Sequence, residues 1–205
     1  MLGIVVVIFI FLISDEKFTE KLFGINSVKY KYGGKLFNVS SEFNDKKNAA
    51  ERQKDLISDI DRFINILDKK YSKENMSGIH GNMFNHKNMI NNFKRRWEKD
   101  NFYEGTPNSK DSSFTIGKGD YFVICMRNKN GEIHDEITLS FVVLHEIAHI
   151  MNNNYGHGED FWLIFKWLLK EYEDVYNIKF PDYNKFPEEY CNTKIFSNPL
   201  YDHSF

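Results

Sequence analysis

The stretch Phe141-Val142-Val143-Leu144-His145-Glu146-Ile147-Ala148-His149-Ile150-Met151 is apolar throughout except for two histidines and one glutamate. A run of this length, preceded by Asp135 as a capping residue and followed by Asn152-Asn153-Asn154, reads as a buried helix over about 135–152. Burying two imidazoles and a carboxyl group without partners is costly. A shared metal ion is the expected partner, with polar helix residues that satisfy one another by hydrogen bonds as the alternative. Residues i and i+4 lie one turn apart on the same helix face, so His145 and His149 can reach a single metal ion. Neutral imidazole nitrogen suits Zn²⁺ at ~2.0–2.1 Å. Glu146, next to the first histidine, projects beside such a metal rather than onto it. There it can take a proton from water activated at the site.

A catalytic zinc takes three protein ligands and keeps one position open. His157 lies eight residues beyond His149, after an Asn-rich segment that ends the helix, and it is flanked by Gly156 and Gly158. Its rivals are Glu171 and Glu173, which lie 22 and 24 residues beyond His149 on the next helical segment. His80, His86, His134 and His203 read as surface or core histidines. Tyr155 is a candidate oxyanion stabiliser, though a loop tyrosine that only packs is the simpler reading.

The block HEIAHIMNNNYGHGEDFW resembles the WLM and SprT-like zinc metallopeptidases. His145, Glu146 and His149 match the group's motif, and His157 matches its third ligand. Phe161 matches an aromatic that packs beneath the site. The resemblance runs from about Phe114 to Tyr172, and the tail around Glu189-Tyr190-Cys191 and Asn198-Pro199-Leu200 is similar to virus-encoded relatives of the group. The step from His149 to His157 is longer than is common in WLM members, which leaves the subfamily open. The resemblance implies an α+β, zincin-like fold, one Zn²⁺, a protein or peptide substrate, and hydrolysis with Glu146 as general base. The group's best-known members cleave protein crosslinked to DNA. That substrate does not carry over, because the net charge of −2 gives no overall basic field for nucleic acid.

The rest of the chain supports one domain of 205 residues with ample core material, 41% hydrophobic and 16% aromatic. Leu56, Ile60, Phe63, Ile64, Leu67 and Tyr71 form an apolar stripe on a helix over 45–71. A second helix is expected over 88–99. It carries Met89, Phe93 and Trp97 on one face and Lys94-Arg95-Arg96 as a solvated cluster. A short strand is expected near 28–32, two strands over 113–116 and 121–127, and a helix over 159–176. The segments 72–87 and 105–112 read as connectors, and the tail after Phe180 as irregular surface structure. The expected architecture is a small antiparallel or mixed sheet backed by the long helix, with the histidine-bearing helix beneath it.

Cys125 and Cys191 form no CxxC pair and read as two unrelated free thiols, with a single disulfide as the alternative. Residues 1–13, MLGIVVVIFIFLI, carry no charge and read as an N-terminal membrane anchor, with a cleaved signal or a buried strand as alternatives. The lysines that follow favour a membrane-associated, cytoplasmic catalytic domain over 15–205, in a cell or a virion. Two other classes stay open. One is a membrane- or virion-associated structural protein that keeps a metal site, although such a site needs no base at Glu146. The other is a protease acting on DNA-bound protein through Lys94, Arg95 and Arg96.

Overall fold

A computed structural model describes residues 24–73, 85–109 and 111–202. The chain opens with a hairpin, β1 (Ser27–Tyr32) and β2 (Lys35–Ser40), and continues into α1 (Lys46–Lys70) and α2 (His86–Arg96). After a 3-10 turn at Lys99–Asn101 come β3 (Phe102–Gly105), β4 (Phe114–Ile116) and β5 (Tyr121–Cys125). The helices α3 (Glu136–Met151) and α4 (Glu159–Tyr176) follow, then a small hairpin of β6 (Glu188–Tyr190) and β7 (Thr193–Ile195). The fold is α+β, with a five-stranded sheet in the order β1-β2-β3-β5-β4. The sheet is mixed. The inner pairs β2–β3 and β3–β5 are parallel, and the edge pairs β1–β2 and β4–β5 are antiparallel.

The expected stripe on α1 is the buried one: Leu56, Ile60, Phe63, Ile64 and Leu67 join Phe102, Phe122 and Ile124 of the sheet in the main core. Asp45 caps this helix by accepting from the Asn48 N–H. Asp135 caps α3 in the same way through the Thr138 N–H. From Thr138 to Met151, α3 is buried at every position except His145 and His149, which are partly exposed. It packs against α4 on one side and α2 on another. A helix that is apolar on all faces has to be enclosed in this way. The β4–β5 turn runs against the end of α2, where a Cβ on Gly119 would stand 2.5 Å from the Arg96 carbonyl oxygen, so only glycine fits.

Several expectations are corrected. The short strand expected near 28–32 is one arm of a full hairpin, and Phe102–Gly105 is a central strand. The tail forms a hairpin instead of irregular structure alone. Cys125 and Cys191 are not free thiols: they are joined by a disulfide across a Cα–Cα distance of 6.5 Å. The reason is topological, since the tail hairpin returns to the end of β5 after 66 residues, a separation that leaves no local signal. Closing a loop of that size removes about 4 kcal/mol of unfolded-chain entropy in the loop-closure description. Residues 1–13 lie outside the described residues, as does most of the 72–87 connector. Among the described residues, no helix is long and apolar enough to cross a membrane.

One buried ion pair ties four elements together. Arg127 Nε donates to Glu104 Oε1 at 2.9 Å, with both side chains almost fully enclosed. The other Glu104 oxygen accepts from the Ser40 N–H, and Arg127 Nη2 donates to the Asp45 carbonyl at the start of α1. Removing one partner of such a pair strands the other. Arg127→Met is expected to cost ~3–5 kcal/mol in urea denaturation, and the double variant Arg127→Met/Glu104→Leu to recover most of that loss. A single-variant loss below ~1 kcal/mol, as for an exposed pair, would contradict this assignment.

Candidate metal centre

His145 and His149 stand one turn apart on α3 with ring centroids 5.0 Å apart. The helix ends at Met151, and the Asn154 N–H donates to the Asn152 side chain as the chain turns. Gly156 adopts φ +79°, a left-handed conformation that suits glycine, and reverses the backbone. His157 is thereby folded back over α3. Its Nε2 lies 3.1 Å from His149 Nε2 and 3.1 Å from His145 Nε2. One ligand nitrogen from each ring falls within 4.8 Å of the other two.

This donor set fits a metal. Tetrahedral bonds of ~2.0–2.1 Å place ligand nitrogens ~3.3 Å apart, close to the spacing seen here. A proton on one of the three nitrogens can bridge to a neighbour but cannot satisfy the whole triangle, whereas one cation can. Burial also keeps the rings neutral. Burial first, then His149 and His157, push His145 well below the ordinary histidine value. Burial, then His157 and Lys118, bring His149 down to about 4. His157 is lowered by burial as well. Phe161, fully buried on α4, forms the floor: its ring stacks on His149 at 4.3 Å and lies 4.9 and 4.6 Å from His145 and His157.

Glu146 is 3% exposed and projects from α3 toward β4, where Thr115 Oγ1 donates to its Oε2 at 3.0 Å. Burial raises its carboxyl to about 8, against the opposing effect of the Thr115 hydrogen bond.

The rival ligands are occupied elsewhere. Glu171 accepts from Lys70 and Tyr71, and Glu173 accepts from Lys179 and the Phe180 N–H. Among the other histidines, His134 accepts from the Cys191 N–H beside Tyr190, and His86 lies against Tyr71 and Trp167. His80 and His203 fall outside the described residues. Tyr155 is 80% exposed and packs under Lys118.

The chain is 38% identical over 137 residues to Uncharacterized protein R325 of Acanthamoeba polyphaga mimivirus, a match covering 66% of this chain and 67% of that protein. It belongs to the family of that mimivirus protein. A shorter match, 44% identical over 59 residues, relates it to Uncharacterized protein 136R of Invertebrate iridescent virus 6. That match covers 28% of this chain and only 33% of the iridescent-virus protein. No family model matches the chain. No solved structure matches it either.

In this member of the family, the basic cluster is not simply solvated surface. Arg96 donates to the Ile150 and Asn152 carbonyls and to the Asn153 side chain, so it holds the C-terminal end of α3 where the third histidine departs. Lys118 donates to the His149 carbonyl from the other side. Cations at free helix carbonyls are favourable. Lys94 pairs with Asp68, and Arg95 donates to Asn92. Sequence reasoning missed Arg96, Lys118 and Thr115. Only Thr115 left a hint, as a polar residue between Phe114 and Ile116 in a short expected strand.

The opposite shifts of Glu146 and the histidines contribute opposing pH dependences in the metal-free protein. Between pH 4 and 6.5 the unfolded chain binds more protons at His149, so that contribution to stability is lost as pH falls. Between 4.5 and 8 the folded chain binds more protons at Glu146, so that contribution is lost as pH rises. Above 6.5 the Glu146 effect stands alone between these two groups. Chelator-stripped wild type is expected to lose stability from pH 6.5 to 8, while Glu146→Gln is spared that loss. Urea midpoints at the two pH values check this, and parallel behaviour of both proteins would contradict it.

Proposed function

We propose that the protein is a zinc-dependent peptidase with a zincin-like layout, hydrolysing peptide bonds in a protein or peptide substrate. One observation carries the reading: His157 Nε2 lies 3.1 Å from the Nε2 atoms of both His145 and His149, beside the buried carboxyl group of Glu146 on their helix. His145, His149 and His157 would hold the metal, which fits a three-ligand site with one position left open. Bound zinc would supply Lewis acidity, polarising a carbonyl and making water at the site acidic near neutral pH.

The remaining work falls to this chain's own groups. Glu146, whose ionised form a cation held by the three histidines would favour, takes the proton from the attacking water and passes it to the departing amine. Thr115 holds one carboxylate oxygen and so fixes the direction of the other. Both the base and its orienting hydroxyl face the edge of the sheet, since β4 is the terminal strand. An extended peptide can add to such an edge through main-chain hydrogen bonds. Phe161 excludes solvent from the metal side. A structural metal site would require neither Glu146 nor its partner. Membrane attachment through residues 1–13 rests on their apolar sequence and is part of the proposal. A DNA-facing role for Lys94, Arg95 and Arg96 is not favoured, because each already binds within the protein.

Two variants separate enzyme from scaffold. Glu146→Gln is expected to retain zinc and the fold while hydrolysis falls by about 10²–10⁴. His149→Ala is expected to lose the metal itself and some stability, because binding is coupled to folding. Full activity in Glu146→Gln would contradict the mechanism. Tight zinc binding without cleavage of any member of a broad peptide library would point to a structural site.

A further inference from the structure

His145 and Glu146 border a cavity of about 500 Å³ that the proposed chemistry does not by itself use. Phe141 and Val142, one turn earlier on α3, line it together with Trp162 and Phe165 of α4. The opposite side comes from the tail and the loop before β4, where Ile195 and Phe196 stand among polar groups that include Asp111, Ser113 and Asn192. Phe141, Val142 and Phe165 are buried, and Phe196 stands at the mouth with 69% of its surface exposed. Lys194, on the same rim, is engaged by Glu189 at 2.7 Å. The size lies within the ~300–1,000 Å³ of small-ligand pockets.

The tail wall is held in place at several points. Besides the disulfide, the Tyr190 hydroxyl donates to the Cys125 carbonyl and lies 2.6 Å from Ser113 Oγ. Asn192 donates to the Ser109 carbonyl. The hairpin is therefore fastened to β5 and to the loop before β4, so that its far edge faces α3 and α4 across the cavity.

We propose that this cavity is a specificity subsite for a large apolar side chain, aromatic or branched aliphatic, on the substrate residue adjoining the scissile bond. The tail hairpin is its outer wall. The proposal rests on the peptidase reading for the identity of the occupant. The occupant follows from three observations: the cavity shares His145 and Glu146 with the centre, its α3–α4 wall of Phe141, Val142, Trp162 and Phe165 is apolar, and Ile195 and the exposed Phe196 add apolar surface from the tail. Burying a phenylalanine or leucine side chain there should favour such substrates over alanine by roughly 10- to 100-fold in kcat/KM.

The test uses quenched fluorescent peptides that differ at one position, with Phe, Leu, Ala or Asp beside the cleavage site. Calorimetric titration of Glu146→Gln protein with the Phe and Ala peptides reads binding without turnover. The expected result is a Phe and Leu preference in both assays. Phe196→Ala, at the surface, and Ile195→Ala/Phe196→Ala, which also trims a partly buried side chain, should reduce the Phe-to-Ala ratio, the double variant about tenfold. Cys125→Ser/Cys191→Ser, which unfastens the wall, should reduce it as well. Cleavage with no preference among the peptides would overturn the subsite and leave the peptidase reading intact. Preferential binding of the Phe peptide with no cleavage by wild type would keep the apolar site and overturn the peptidase. Equal binding of the Phe and Ala peptides would overturn the subsite in either case.

Discussion

Enclosing α3 is the demand to which the rest of the structure responds. This helix is apolar on nearly every face, yet it carries two imidazoles and a carboxyl group. Water reaches those groups only in part once α2, α4 and the sheet close around the helix, and burying them without partners would cost several kcal/mol. The solution is convergence. His157 folds back to complete a triangle of nitrogens, Phe161 seals it from beneath, and Thr115 meets the carboxyl group from the sheet. Each of these contacts draws a different element toward α3: the loop after it, α4, and the edge strand β4.

The approach of the loop depends on how α3 ends. Helix carbonyls at a C-terminus need partners, and here two cations supply them from opposite sides, Arg96 from α2 and Lys118 from the β4–β5 turn. Gly119 lets that turn come close to α2, and Gly156 lets the loop reverse. The position of His157 is thus set by ordinary helix-capping chemistry and two special backbone positions. On the other side of the centre, the disulfide and the Tyr190 hydrogen bonds fasten the tail, which gives the cleft its second wall.

The site was legible in the sequence because its information is local. The four-residue step from His145 to His149, the adjacent glutamate and the glycine-flanked His157 all lie within thirteen residues of chain. The long amphipathic α1 and the capped α3 were legible for the same reason, since periodicity and caps are short-range signals. The parts that were not legible depend on partners distant in sequence. Phe102–Gly105 becomes a strand because β2 and β5 flank it, and four residues ending in glycine carry no pattern of their own. Asn38 is buried in β2 because its amide donates to the Asp100 and Phe102 carbonyls, more than sixty positions later. Arg127 finds Glu104, and Cys191 finds Cys125, only after the sheet and the tail have come together.

The central claim is that three histidines hold one metal and that His157 is the third. Elemental analysis of the purified full-length protein, after dialysis against zinc-free buffer, measures this directly. One zinc per chain is expected in wild type and in Glu171→Ala and Glu173→Ala, with less than a tenth of that in His157→Ala (on the order of the 10- to 100-fold affinity loss that even an outer partner of a ligand produces, or more). Full zinc in His157→Ala, or its loss in Glu171→Ala or Glu173→Ala, would contradict the assignment.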